Sequence, residues 1–222
     1  MTFRTARLAF ILLAVAVPST AQNDVYDNGA IDGQDYAWVI NFGFANSDSF
    51  TFTNGNNCGS YGWGPCSVNG LIFEGWLYPG DLLQSVEVSI TSSEFGGTTY
   101  LDQIVSFAQS ACFLNNSQYG SYDVCTETGS FPDLYLNSGT YWLTLQNAQV
   151  NDGDPVFWDQ NAGPSLASNS SVGTIPSESF TILGSTTTTP CYSCITMPEP
   201  SGLMLVASGL LGLLLTGSRK YL

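Results

Sequence analysis

The sequence predicts an all-β protein, an antiparallel β-sandwich of jelly-roll type, flanked by an N-terminal signal peptide and a C-terminal hydrophobic helix. Several short segments alternate apolar and polar residues with the period of a β-strand, and no segment shows sustained helical amphipathicity. Gly, Ser, Thr and Asn are abundant while strong helix formers are sparse, a balance typical of strands joined by turns.

The clearest strand pattern runs over residues 85–91, where Val86, Val88 and Ile90 alternate with polar residues. This period of two predicts that the three apolar side chains face a core while Glu87 faces outward. Further strands of this kind are predicted at residues 36–42, 49–53, 71–77, 101–109, 140–145 and 179–183.

The two chain ends differ in composition from the body between them. A basic start, an apolar run over residues 8–17 and a small residue at Ala21 are typical of a secretory signal peptide, predicted at residues 1–21. We expect the β-sandwich ectodomain at residues 22–184 and an extended Thr/Pro/Cys linker at residues 185–196.

The C-terminal segment, residues 197–222, contains an apolar stretch at residues 202–217 followed by Arg219 and Lys220. The stretch is at or just under the ~17–25 residues that span a bilayer as a helix. Under the positive-inside rule the basic pair stays cytoplasmic and the acidic body lies outside. One interpretation of the segment is therefore a plain single-pass anchor.

A second interpretation depends on Pro198, Glu199 and Pro200, which stand directly before the apolar stretch. This triplet, the helix and the terminal basic pair resemble, in that order, the PEP-CTERM sorting signal of Gram-negative bacteria. The resemblance implies recognition by an exosortase-type membrane protease, removal of the tail, and delivery to the cell envelope, outer surface or extracellular matrix. The body resembles uncharacterised PEP-CTERM proteins with DVYDNG, here residues 24–29, and this likeness implies no particular activity.

Charge excludes several classes of function. All 18 acidic residues and none of the four basic ones lie between Leu8 and Ser218, and the chain has no His. Such a body cannot make the phosphate contacts of nucleic-acid binding, nor dock on anionic headgroups. Histidine-based catalysis and His-ligated zinc are excluded as well. Cations, neutral exopolysaccharide and other surface proteins remain as partners.

Six cysteines in an exported chain predict disulfides. Six cysteines allow 15 pairings, and we expect local pairs that clamp loop tips. The sequence favours Cys58 with Cys66 across a Gly-rich turn, and Cys112 with Cys125 across a polar loop. Cys191 and Cys194 form a C-x-x-C for which a small local disulfide or a bridge to another chain is favoured over redox, haem or zinc interpretations.

Two clusters of acidic residues are candidate calcium sites, because Ca²⁺ prefers carboxylate, amide and carbonyl oxygens supplied by Asp/Asn/Gly turns. Neither cluster has EF-hand spacing, and ordinary β-turns use the same residue types. The candidate ligands are Asp24, Asp27, Asp32 and Asp35 in the first cluster, and Asp152 and Asp154 in the second.

Ligand binding and catalysis have weaker sequence signals. Tyr61 and Trp63 lie in the Gly-rich loop and are candidates for stacking on a sugar ring. A glycosidase would need two paired carboxylates, and no spacing links any two of the glutamates. The expected function is therefore a non-enzymatic structural or adhesive role in the envelope or matrix. The alternatives are a carbohydrate-binding module with calcium-dependent loops and, less favoured, a carboxylate glycosidase.

Overall fold

The computed structural model describes residues 22–30, 36–53, 65–117 and 120–185. Of these residues 73% are in strands and none is helical, which confirms the all-β class. No helix in this part of the chain is long and apolar enough to cross a membrane. The predicted signal peptide, most of the linker and the sorting signal lie outside the described residues. The strands are β1 (Asn23–Asp27), β2 (Ala37–Val39), β3 (Ala45–Phe52), β4 (Cys66–Leu77), β5 (Leu83–Ser93), β6 (Gly96–Ser117), β7 (Gly120–Leu136), β8 (Gly139–Val150), β9 (Phe157–Asp159), β10 (Ala167–Asn169), β11 (Gly173–Ile175) and β12 (Phe180–Ser185).

All strand pairs are antiparallel, and the sheet curls into a half-barrel. Its strand order is β1-β12-β4-β7-β6-β5-β8-β3-β10-β11, and the short pair β2–β9 joins it through β4. The pairing is nested in sequence, since β1 pairs with β12, β3 with β8, β4 with β7 and β5 with β6. Most contacts therefore join residues far apart in the chain.

The long strand β6 connects the two halves of the sheet. Its pairing with β5 extends to Ser106, and its pairing with β7 begins at Phe107. Gly129 of β7 lies directly beside Phe107, where a Cβ atom would stand 2.7 Å from the ring. Because a side chain at residue 129 would collide with this ring, glycine permits the close approach of β6 and β7.

The core between the two halves is largely aromatic. Phe50 of β3 contacts Phe180 of β12 edge-to-face at 6.3 Å between ring centroids, and Tyr26 of β1 lies 5.7 Å from each of them. Trp158 of β9 continues this cluster, 5.8 Å from Phe180, and its indole Nε1 donates to the Ser179 carbonyl. The inner faces of the two halves are thus joined by aromatic packing.

Several predicted strands agree with the structure, and others differ for a physical reason. In β5 the side chains of Val86, Val88 and Ile90 are fully buried, as the alternation predicts. Residues 36–42 form only the three-residue β2, and β3 begins four residues earlier than predicted. The segment between Cys112 and Cys125 was expected to be a polar loop because it is rich in Asn, Ser and Tyr, but it forms the end of β6 and the start of β7. No strand was predicted over the rest of β7, whose inward-facing positions include Glu127 and Gly129 rather than large apolar residues.

A polar network ties the end of β1 to β3 and to the segment before β12. Asn28 is fully buried, and four oxygens lie within 3.2 Å of its Nδ2, those of Asp48 Oδ2, Ser165 Oγ, Ser177 Oγ and the Glu178 carbonyl. The Tyr26 hydroxyl donates to Asn28 Oδ1 at 2.7 Å. Asp48 also accepts from the Glu178 amide at 2.7 Å, so it is solvated by neutral donors.

Glu127 and Glu178 are buried without such donors. Both side chains are fully buried, and neither carboxylate has a hydrogen-bond partner among the described residues. Burial raises the pKa of Glu127 to about 8. Burial also raises the pKa of Glu178 well above its ordinary value, with Asp48 and Asp159 adding to the shift. Burial therefore favours the neutral form of both carboxyl groups in the folded protein.

We expect Glu127→Met to stabilise the protein at pH 8 by on the order of 2 kcal/mol. The folded state holds the Glu127 proton up to about pH 8. The unfolded chain releases that proton near pH 4.5, so stability of the wild type falls as pH rises between these values. Urea unfolding at pH 5 and pH 8 should show that the free energy of unfolding depends less on pH in Glu127→Met than in the wild type. Glu94→Gln, at an exposed turn, is the control and should behave as wild type. An unchanged pH slope in Glu127→Met would contradict the expectation.

Candidate calcium centre and aromatic pocket

Three carboxylates from two loops converge in the structure. The acidic cluster consists of Asp81, Asp152 and Asp154, whose nearest carboxylate oxygens all lie within 4.8 Å of one another. Ca²⁺ binds oxygen at 2.3–2.6 Å, so ligands on opposite sides of one ion stand about 5 Å apart. The spacing of the cluster therefore matches oxygens that share one calcium ion.

Asp81 is the most unusual member of the cluster. Its side chain is only 5% exposed, and its Oδ2 atom is buried with no hydrogen-bond partner among the described residues. Burial raises the pKa of Asp81 to about 6, and Asp152, Asp154 and Asp123 add to the shift. A buried carboxylate oxygen facing other carboxylates requires either a proton or a cation.

Local sequence explains how the turn presents Asp81. Pro79 and Gly80 follow Tyr78, Gly80 has φ +97°, and the Asp81 amide donates to the Tyr78 carbonyl at 3.0 Å. Proline followed by a glycine with positive φ is the signature of a type II turn. The turn is tied to β7 because the Gly80 amide donates to Asp123 Oδ2 at 3.2 Å.

The second loop, residues 151–156, is held from both sides. The Leu82 amide donates to Asn151 Oδ1 at 2.8 Å, which joins this loop to the Asp81 turn. Asn41 clamps the other side, since its Nδ2 donates to the Asp154 carbonyl at 2.9 Å and its Oδ1 accepts from the Val156 amide. Asp152 is exposed and Asp154 is half-buried, so an ion would enter from the Asp152 side.

A disulfide bond supports the backbone of the Asp81 turn. Cys112 and Cys125 are joined, in agreement with the predicted local pair, although they bridge the neighbouring strands β6 and β7 rather than the tip of a loop. Gln109 packs against both sulfurs, donates to the Asp81 carbonyl at 3.2 Å and accepts from the Leu83 amide. The covalent bridge therefore positions the backbone of the turn through Gln109.

An aromatic pocket of about 240 Å³ lies beside the cluster. Tyr122 lines this pocket and contacts three other rings. Its ring centroid lies 5.7 Å from that of Trp76, 5.6 Å from that of Phe157 and 5.3 Å from that of Tyr78. Trp76 is held in place because its Nε1 donates to the buried Asp159 carboxylate. The residues that line the pocket are Tyr36, Ala37, Trp76, Tyr122 and Phe157.

The structure brings together only part of the predicted sites. Asp152 and Asp154 meet in the acidic cluster, while Asp24 and Asp27 lie on β1, where Asp27 Oδ1 accepts from the Gly29 amide. Cys66 is disulfide-bonded, and its predicted partner lies outside the described residues. The other predicted site residues outside the described ranges are Asp32, Asp35, Cys58, Tyr61, Trp63, Cys191, Cys194, Pro198, Glu199, Pro200, Arg219 and Lys220.

Asp81 and the pocket aromatics were missed by sequence reasoning. A Pro-Gly-Asp turn is an available signal for Asp81, but it does not show which other loop the turn approaches. Trp76 has the pattern of a strand residue facing a core, and it is indeed buried. Only the β4–β7 and β4–β9 pairings bring it beside Tyr122 and Phe157.

The fold and site together define an all-β protein with an antiparallel sheet and an acidic loop cluster beside an aromatic pocket. No protein-family model, curated protein or solved structure matches the chain. The function is therefore inferred from the chemistry of the described residues and of the sequence.

We expect Asp81→Asn to stabilise the metal-free protein at pH 8 by on the order of 1 kcal/mol. The folded pKa of Asp81 is raised to about 6. Stability of the metal-free wild type should therefore fall as pH rises from about 4 to above 6, because the folded state binds the proton more tightly than the unfolded chain. Denaturant unfolding of the wild type and of Asp81→Asn, with a chelator present at pH 5 and at pH 8, measures the free energy of unfolding of each. If Asp81→Asn is less stable than the wild type at pH 8, the destabilising effect of the ionised Asp81 carboxylate is contradicted.

Proposed function

We propose that this chain is an exported surface or extracellular-matrix protein with a structural or adhesive role, whose loops are organised by calcium. The observation that carries the calcium assignment concerns Asp81. Its Oδ2 is buried without a hydrogen-bond partner among the described residues, and one of its carboxylate oxygens lies within 4.8 Å of oxygens of Asp152 and Asp154. A divalent cation satisfies this atom and neutralises the repulsion among three carboxylates at once.

The proposed location depends on the two chain ends. The signal-peptide pattern supports export, and Pro198-Glu199-Pro200 before the apolar stretch and basic end supports sorting by an exosortase-type protease. We propose the envelope, outer surface or matrix of a Gram-negative bacterium as the destination, with the C-terminal helix in the membrane before processing. Exopolysaccharide and other surface proteins are the proposed partners.

The nested strand pairing supports the jelly-roll sandwich as the finer description of the fold. Strands β1, β12, β4 and β7 would form one layer, and β3, β8, β5 and β6 the other. This architecture hosts many unrelated functions and does not by itself indicate one.

A carbohydrate-binding module with calcium-dependent loops is the second candidate function. The position of the aromatic pocket favours it, because Tyr122 and Phe157 lie on the segments that carry Asp123 and Asp154. The glycosidase alternative has less support. Glu127 and Glu178 are fully buried, and the Glu87 carboxylate is held by the amides of Gln146 and Asn147. We therefore propose a non-enzymatic protein.

Calcium should raise the thermal stability of the purified full chain. A saturating concentration near 100 times Kd stabilises a folded protein by about 2.7 kcal/mol, which corresponds to a Tm increase of roughly 5–10 °C for a domain of this size. Asp152→Asn and Asp154→Asn should lose the increase, because each removes a ligand charge. Asp133→Asn is the control, since Asp133 is exposed on β7 and hydrogen-bonds Asn69. No increase in the wild type, or equal loss in the control, would refute the centre.

The proposed sorting predicts the intact mass of the protein recovered from the envelope and medium of its native host. A species that begins at Gln22 and ends near Pro198–Pro200, with or without added mass, is the expected result, because the signal peptide and the tail are both removed. Recovery of a chain that runs through to Leu222 would exclude tail processing and leave a single-pass anchored protein.

A further inference from the structure

The acidic cluster and the aromatic pocket are built by the same three segments of chain. Residues 78–81 carry Tyr78 and Asp81, and residues 154–157 carry Asp154 and Phe157. Residues 122–123 are a tyrosine and an aspartate in succession on β7, with side chains on opposite faces of the strand. Each segment therefore supplies one carboxylate to the acidic region and one ring to the aromatic region.

The three segments are connected on both sides. On the acidic side, Asp81 and Asp154 oxygens lie within 4.8 Å, and the Gly80 amide donates to Asp123 at 3.2 Å. On the aromatic side, Tyr122 contacts both Tyr78 and Phe157 through ring pairs at 5.3 and 5.6 Å. The carboxylates and the rings are therefore linked through the same backbone segments.

The direction of this coupling follows from charge. Without a cation, the carboxylates of the cluster repel one another, and separation of the loops relieves that repulsion. A bound Ca²⁺ reverses the sign of the interaction and draws the loops together. Phe157 is the ladder partner of Trp76, and Tyr122 lies on the neighbouring strand β7, so the sheet holds these rings in place. The loop that carries Asp152 and Asp154 is therefore the part that an ion would draw toward Asp81.

We infer that the aromatic pocket binds a neutral glycan, and that calcium at Asp81, Asp152 and Asp154 holds the adjoining loops in the arrangement that this binding needs. This inference deepens the proposed adhesive function and rests on its calcium centre. A ligand of net negative charge is disfavoured, since no basic side chain lies between Leu8 and Ser218 and the segments that carry the pocket rings also carry aspartates. A sugar ring is neutral, and its apolar C–H face stacks on aromatic side chains while its hydroxyls reach polar groups at the rim.

The pocket has the features that such a ligand needs. Its apolar walls are rings of Trp76, Tyr122 and Phe157, and it is open to solvent on the side of Tyr36, which is 49% exposed. Tyr78, at 41% exposure, extends the aromatic surface toward the Asp81 turn. A glycan lying along these rings would contact the pocket and the edge of the calcium centre together.

Native affinity electrophoresis tests the inference with neutral polymers as probes. The full chain would be run in gels containing pullulan, dextran or hydroxyethyl cellulose, with calcium or with EGTA, and carboxymethyl cellulose would serve as the anionic counterpart. We expect retardation in at least one neutral gel, no retardation by the anionic polymer, and loss of retardation in EGTA. The absence of retardation in all three neutral gels would overturn the inference.

Variants separate the pocket from the calcium centre. Tyr122→Ala and Phe157→Ala should weaken retardation about tenfold or more, which corresponds to ~1.4 kcal/mol, whereas Tyr122→Trp should retain it. Tyr135→Ala is the matched control, because Tyr135 is an aromatic residue of the same strand that is 63% exposed outside the pocket. Tyr122→Ala should keep the calcium-dependent rise in Tm, which shows that the fold and the centre are intact.

The possible outcomes distinguish the two proposals. If the calcium-dependent rise in Tm is absent, the proposed centre fails and this inference fails with it. If the rise is present but retardation is unchanged in Tyr122→Ala or in EGTA, only the coupled glycan site is refuted. Tighter binding of tetramethylammonium in EGTA than in calcium would show that the rings instead form a cage for a cation, and would overturn the glycan assignment.

Discussion

The interval between Leu8 and Ser218 contains 18 acidic residues and no Lys, Arg or His, so it offers its own carboxylates no basic side chain for an ion pair. Most proteins compensate buried carboxylates with basic partners. This chain must use neutral donors, protons or an external cation. Neutral donors and protons account for acidic residues of the described core, and the acidic cluster is the place where we propose the external cation.

Neutral donors and protons account for the acidic residues of the core. Asp48 accepts backbone amides from Ser49 and Glu178, at 2.6 and 2.7 Å, within the Asn28 network. Glu127 and Glu178 have no such donors among the described residues, and burial raises the pKa of both, which favours their neutral form. The core therefore carries little charge although its sequence is acidic.

The acidic cluster remains the place where neither solution is complete. Gln109 satisfies the backbone around Asp81 and not its carboxylate, and Oδ2 stays unpartnered among the described residues. The disulfide between Cys112 and Cys125 and the clamp by Asn41 hold the surrounding backbone in place. An uncompensated carboxylate in such surroundings is the arrangement expected of a cation site, and the same chain segments carry rings of the aromatic pocket.

The sequence by itself determined the all-β class, the charge constraint and the core faces of strands such as β5, because period-two alternation and residue counts are local properties. It also identified Asp152 and Asp154, but it gave equal weight to the acidic residues around β1. The sequence pattern did not predict strand β7, since Glu127 and Gly129 occupy inward positions where apolar residues are expected. Which carboxylates meet, and which rings surround Tyr122, was decided by the nested pairing of strands distant in the chain. Such long-range pairing depends on the packing of the whole sheet, and no local pattern in the sequence encodes it.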